Sequence, residues 1–163
     1  MKKILTPEIA KKLAKETFEK IENEEDKDFL IIHSFSVVQC SLILAEDKNI
    51  DKNILEIAGW LHDLGYIINK EDHAKHSLEI LEKEYEINEK LKDCILNHGS
   101  DGKPETKEGE IIKVADKLSC LNPDLVKILV KYSLKKDKQQ KEKDLEFIRK
   151  MCNKGIDLMK EFD

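Results

Sequence analysis

Five histidines occur in a chain in which 39% of the residues are charged, and three of the five sit on apolar stripes instead of among those charges. His33 shares a helical line with Val37, Cys40 and Leu44, His98 ends the run Ile87, Leu91, Cys94 and Ile95, and His62 follows Leu55 and Ala58 by seven and four residues. The doublet His62-Asp63 closes the apolar stretch EIAGWL, and Asp116 follows Ile112 by four among Val114, Ala115 and Leu118. All of these polar side chains aim inward. One histidine on such a face is usually a core residue with a local hydrogen bond. Several imidazoles and carboxylates aimed inward together are satisfied at once by a divalent cation, because they are the ligands that suit catalytic first-row metals. A cation held with open positions lowers the pKa of bound water to about 7 and presents hydroxide to a phosphorus centre, and a second ion about 3.5–4 Å away would clamp the attacking and leaving oxygens.

The elements that must position these residues are helical. Only six glycines and three prolines occur, the apolar residues fall at helical spacing almost everywhere, and no strand is expected. Thr6-Pro7-Glu8 predicts a cap, a proline at the first helical position and an acid in the first turn, opening a helix to about residue 22. Further helices are predicted over about 28–46, from Asp51 to near Gly65, over about 72–84, 88–98 and 108–120, from Asn122-Pro123-Asp124 onward, and over about 140–161. Gly65 is expected to stop the third by adopting positive φ. The lysine-rich stretch KKDKQQKEKD between the last two is expected to be a solvated connection or helix face.

Length and composition bound the rest. A chain of 163 residues with 40% hydrophobic content suits one compact domain. A net charge of −5 disfavours a protein that grips a nucleic acid backbone, while a small anionic ligand remains compatible with a local site. Cys40, Cys94, Cys120 and Cys152 form no C-x-x-C pair and are expected to be reduced, buried thiols. No stretch is expected to span a membrane, and MKKILTPEIAKKLAK returns to charge too soon for a signal peptide, so the cytoplasm is the expected location.

The order and spacing of His33, then His62-Asp63 in LHDLG, then Asp116 in VADKL resemble the H…HD…D signature of the HD-domain superfamily of metal-dependent phosphohydrolases, over about residues 28 to 121. The resemblance implies an all-α, compact multi-helix bundle with a metal site in its interior. It implies His33, His62, Asp63 and Asp116 as core metal ligands. In dinuclear members two further histidines lie between the doublet and the last aspartate, which points to His73 in DHAKHSLEIL and His98 in LNHGS, with Asp63 bridging the ions. His76, one turn beyond His73, competes with it, and the His-Ala opening of that helix favours His73. Tyr66 departs from the family: one large branch carries a lysine there, and a mononuclear nucleotidase carries a glutamate. The loop HGSDGKPE lacks the paired histidines and the Gly-Tyr-Pro run of the cyclic dinucleotide phosphodiesterase branch.

The function expected is hydrolysis of a phosphomonoester or phosphodiester of a nucleotide or similar small metabolite, with Asp63 and His62 at the reacting centre and one or two divalent ions (manganese, iron, magnesium, zinc or similar). Lys103 in the loop after His98 and Lys117 beside Asp116 are the candidates for holding the phosphate. A di-iron oxygenase and a non-catalytic metal-binding regulatory module are the alternatives. The expected partner is a small phosphorylated substrate, with neither a membrane nor a nucleic acid polymer. A role for the C-terminal helices, about 122–161, as cover, homodimer surface or pocket wall is left open.

Overall fold

Six short polar side chains divide the chain. Thr6, Asn23, Asp51, Asn88, Thr106 and Asn122 each accept a backbone N–H from the first turn of the helix that follows. Each thereby satisfies a donor that the helix itself leaves unpaired. In the computed structural model, which describes residues 2–161, eight α-helices follow one another: α1 (Pro7–Phe18), α2 (Glu24–Leu44), α3 (Lys52–Leu61), α4 (His73–Glu82), α5 (Glu89–Asn97), α6 (Lys107–Leu118), α7 (Pro123–Ser133) and α8 (Lys138–Glu161). Two 3₁₀ turns, Leu64–Ile67 and Ser119–Leu121, follow α3 and α6. Among the described residues the only β pairing is an isolated bridge between Lys3 and Tyr85.

α2 lies at the centre, packed against α3, α6 and α7, and α8 lies across α6 and α7. Phe18, Leu30, Val37, Leu55, Leu61, Leu81, Ile95, Ile111 and Ile112 are all 2% exposed or less. Each such side chain contributes roughly 1.5–3 kcal/mol of burial free energy. α2 is long and apolar enough, by length and composition alone, to cross a membrane, although no such stretch is expected from the sequence. Its apolar residues meet helices on several sides, so it lacks the polar face that would interrupt its hydropathy.

Three expectations are corrected. α2 begins at Glu24, earlier than residue 28, because Asn23 caps it and Glu24, Glu25 and Asp26 fill its first turn. α3 ends at Leu61, and no glycine among the described residues has positive φ. Gly65 is needed for a different reason: a Cβ there would lie 2.1 Å from the carbonyl oxygen of His73 and 2.6 Å from the nitrogen of Ser77, so only glycine lets the 3₁₀ turn press against α4. Finally, Cys94 and Cys120 are buried thiols, whereas Cys40 and Cys152 are half-buried.

Candidate metal centre

The ends of helices deliver the polar residues to one place. His62 follows the last residue of α3, His98 follows the last of α5, His73 opens α4, His33 lies within α2 and Asp116 within α6. Their ring nitrogens and carboxylate oxygens interlock around Asp63. One oxygen of Asp63, Oδ2, lies 3.4 Å from Nε2 of His33 and 3.3 Å from Nε2 of His62. The other, Oδ1, lies 3.2 Å from Nε2 of His73 and 3.4 Å from Nε2 of His98. Asp116 joins the first group, its Oδ1 lying 3.1 Å from His33 and 3.8 Å from His62. Asp63 thus stands between two sets of donors, His33, His62 and Asp116 on one side and His73 and His98 on the other.

Each ring is held by its other nitrogen. His62, His73 and His98 place Nδ1 at 3.1, 2.7 and 2.7 Å from the carbonyls of Gly59, Lys70 and Ile95, each three residues upstream. A carbonyl only accepts, so Nδ1 carries the proton and Nε2 is left to ligate. Ser119 does this for His33: its hydroxyl donates to the Asp116 carbonyl at 2.6 Å and accepts from Nδ1 of His33 at 3.0 Å. Four Nε2 atoms therefore converge with two carboxylates, the His33–His62 and His73–His98 pairs only 3.2 and 3.0 Å apart. Ligand atoms each about 2.1 Å from a common ion stand about 3.0–3.4 Å from one another in tetrahedral or octahedral geometry. The spacing and chemistry of this donor set fit divalent cations on both sides of Asp63.

Protons can stand in for cations here. Burial opposes charge on His33, yet its contacts with Asp116 and Asp63 prevail and raise its pKa to about 9. Burial likewise opposes charge on His98, and Asp63 again raises it. His73 moves the other way, lowered by burial and by the neighbouring rings. Both carboxylates resist their own burial: the imidazoles, with Lys117 beside Asp116, hold Asp63 and Asp116 below the usual carboxylate range. One imidazole on each side of Asp63 thus favours a second proton, in the space a metal ion would take.

The remaining candidates separate. His76 points away from the cluster, pairing with Glu79 through Nδ1 at 2.9 Å, so the geometry brings His73 and not His76 to Asp63. Lys117 is buried, pairs with Oδ2 of Asp116 and lines the cavity above the cluster. Lys103 is exposed and does not line that cavity, because the loop after His98 carries it outward. Sequence reasoning missed the groups that hold the frame. Ser77 accepts from the Gly65 N–H and donates toward the carbonyls of His62 and His73, all at 2.8 Å, so one hydroxyl joins the two halves of the site. Asp93 accepts from the backbone and hydroxyl of Thr106 at 2.8 and 2.6 Å, fixing the loop between His98 and α6. It also missed Phe29, which stacks on His33 with centroids 5.4 Å apart, and the contact of Tyr66, noted only as a departure from the family, with His73 at 4.4 Å. Phe29 lies one helical turn before His33, a spacing that could have revealed it.

Comparison with known proteins adds an independent line. The family model described as HD domain matches residues 30–121. A deoxyguanosinetriphosphate triphosphohydrolase-like protein of Caldanaerobacter subterraneus subsp. tengcongensis is 27% identical over 115 residues, 58% of this chain and 34% of that protein. Ribonuclease Y of Syntrophomonas wolfei is 32% identical over 94 residues, 56% of this chain and 18% of that protein. Ribonuclease Y of Pseudothermotoga lettingae is 28% identical over 122 residues, 73% of this chain and 23% of that protein. The chain spans about a third or less of the length of these curated relatives. No solved structure matches it.

Proposed function

The chain belongs to the HD domain family, whose model covers residues 30–121, and from that premise we propose that it is a metal-dependent phosphohydrolase acting on a phosphate ester of a nucleotide or similar small metabolite. The observation that carries the reading is the division of Asp63, with one oxygen toward His33 and His62 and the other toward His73 and His98. His33, His62, Asp116 and one oxygen of Asp63 would hold one ion, and His73, His98 and the other oxygen a second. Divalent ions bound there supply Lewis acidity to a phosphoryl oxygen and bring the pKa of coordinated water to about 7.

The chain's own residues supply the remainder. The Nδ1 hydrogen bonds keep each Nε2 aimed before anything binds, so orientation is set in advance. Lys117 keeps Oδ2 of Asp116 engaged, which leaves Oδ1 for the cluster. Phe29 and Tyr66 shield the ligand rings from bulk water, which strengthens the electrostatic interactions inside.

The reading is tested by phosphate release from a panel of phosphomonoesters and phosphodiesters, with added manganese and with chelator. Release that requires metal and disappears in Asp63→Ala is the expected result. Turnover that persists in chelator, or in that variant, refutes it.

A further inference from the structure

The cavity over the cluster has a wall that the family model does not reach. α8 begins at Lys138, beyond the matched residues 30–121, yet two of its side chains, Phe147 and Met151, line the cavity together with Phe29, Tyr66 and Lys117. Phe147, Met151 and Gly155 follow one another at intervals of four, so they share one face of α8. Gly155 sets the height of that face: a Cβ there would lie 3.0 Å from the backbone carbon of Lys117, so α8 and α6 touch backbone to backbone beside Asp116. Lys154 donates to the carbonyl of Ser100 at 3.3 Å and ties α8 to the loop after His98. Both contacts place Phe147 and Met151 over the cavity mouth.

The walls of that cavity are mostly apolar and its volume is about 260 Å³, just under the usual range of roughly 300–1,000 Å³ for small-molecule sites. Phe29 and Tyr66 lie directly against His33 and His73, so the apolar surface begins where a phosphoryl group would end. Phe147, which lines the same cavity, is 53% exposed, leaving aromatic surface that a bound molecule could cover. Charge follows the same pattern. Apart from the histidines, Lys117 is the one cation among the lining residues, and it is already paired with Asp116. A nucleic acid strand brings further negative charges beyond those that ions at the cluster would meet, and the lining residues outside the cluster offer no unpaired cation for them.

We infer that α8 makes this site selective for compact phosphate monoesters whose organic half is flat and apolar, gripped between Phe147 and Met151 on one side and Phe29 and Tyr66 on the other. The inference rests on the phosphohydrolase reading above, and it assigns Phe147 and Met151 as specificity-determining residues. They act on the organic group and leave the cation donors untouched.

Binding without turnover tests it. Manganese-loaded protein is titrated calorimetrically with methylphosphonate and phenylphosphonate, for wild type, Phe147→Ala and the double variant Phe147→Ala/Met151→Ala, with manganese content and helicity measured on each. Wild type is expected to bind phenylphosphonate at least about tenfold more tightly than methylphosphonate. The preference is expected to shrink to about twofold in the double variant and partway in Phe147→Ala, while manganese content and methylphosphonate affinity stay the same. Phe147 is half-exposed, so its single variant keeps the fold and the test stands on it alone if the double variant unfolds. Equal binding of the two phosphonates by wild type, or a preference unchanged by Phe147→Ala, overturns the selectivity. Protein that takes up manganese and binds no phosphonate overturns the phosphohydrolase reading instead, so the two failures are told apart.

Discussion

Replacing Gly65 by alanine should separate the two halves of the metal centre without changing any of the side chains that would hold the ions. The new methyl group would start 2.1 Å from the carbonyl oxygen of His73, about 1.3 Å short of the 3.4 Å at which ordinary contact begins. The next nearest atom, the Ser77 nitrogen of the same helix, is backbone too, so the strain cannot be relieved by turning a side chain. The 3₁₀ turn must retreat from α4 by roughly an ångström, which stretches the 2.8 Å bond from the Gly65 N–H to the Ser77 hydroxyl beyond hydrogen-bonding length. Overpacking of this kind costs about 1–3 kcal/mol and a buried, orphaned N–H about 1–3 more, so roughly 4 kcal/mol of stability should be lost. The ligands feel the same displacement, because His73 belongs to α4 and Asp63 to the segment that retreats. Metal–ligand distances tolerate only about 0.2 Å, so His73 should drop out of its ion's coordination. Metal analysis by mass spectrometry together with urea unfolding would read both effects: about one equivalent of manganese lost, the other retained, and a lowered unfolding midpoint. A Gly65→Ala protein that binds two equivalents as tightly as wild type would show that the close approach of turn and helix does not set the site.

Other expectations follow from the same geometry. Asp63→Asn keeps the shape but neutralises the carboxylate that faces both donor sets, so metal analysis should find both ions lost while circular dichroism keeps its helical signal. His73→Ala should lose about one equivalent and His76→Ala none, and equal loss from the two would undo the placement of His73 at Asp63. The pKa of His33, raised to about 9, lies above its unfolded value of about 6.5, so its contribution to the stability of metal-free protein is complete below about pH 6.5 and lost as pH rises through about 9. Metal must displace that proton, so apparent affinity should rise over the same interval, with proton release visible in calorimetry repeated in buffers of different ionisation enthalpy. An affinity flat between pH 6.5 and 9 would contradict it.

The doublet and Asp116 were legible because each breaks an apolar helical pattern at a place where a polar residue is costly to bury. The capped starts of α1, α3 and α7 were legible because Thr6, Asp51 and Asn122 carry their signal locally. What stayed hidden depends on residues far apart in sequence. The hydroxyl of Ser119 meets His33 across 86 positions, and Ser77 meets Gly65 across 12, with nothing in either neighbourhood to announce the meeting. Gly65 drew attention for the wrong reason, since a glycine that stops a helix and a glycine that admits a neighbouring backbone look alike in a string of letters. Lys103 and Lys117 looked equivalent for the same reason, and only the path of the loop after His98 separates an exposed lysine from a buried one.

The way the four imidazoles are held also prescribes an order of events as the chain folds. His62, His73 and His98 anchor to carbonyls three residues upstream, contacts that close in nanoseconds to microseconds as each local turn forms. His33 is aimed by Ser119, and so must wait until α2 and the end of α6 have docked. Asp63 adjoins His62, so the donors around it mature before those that depend on α6. Manganese present during refolding should be captured first by His73, His98 and Asp63, with the second site completed later, when His33 and Asp116 join His62. Such early capture would lower the barrier to docking α6 and speed refolding, whereas manganese added to already folded protein could act only on the unfolding rate.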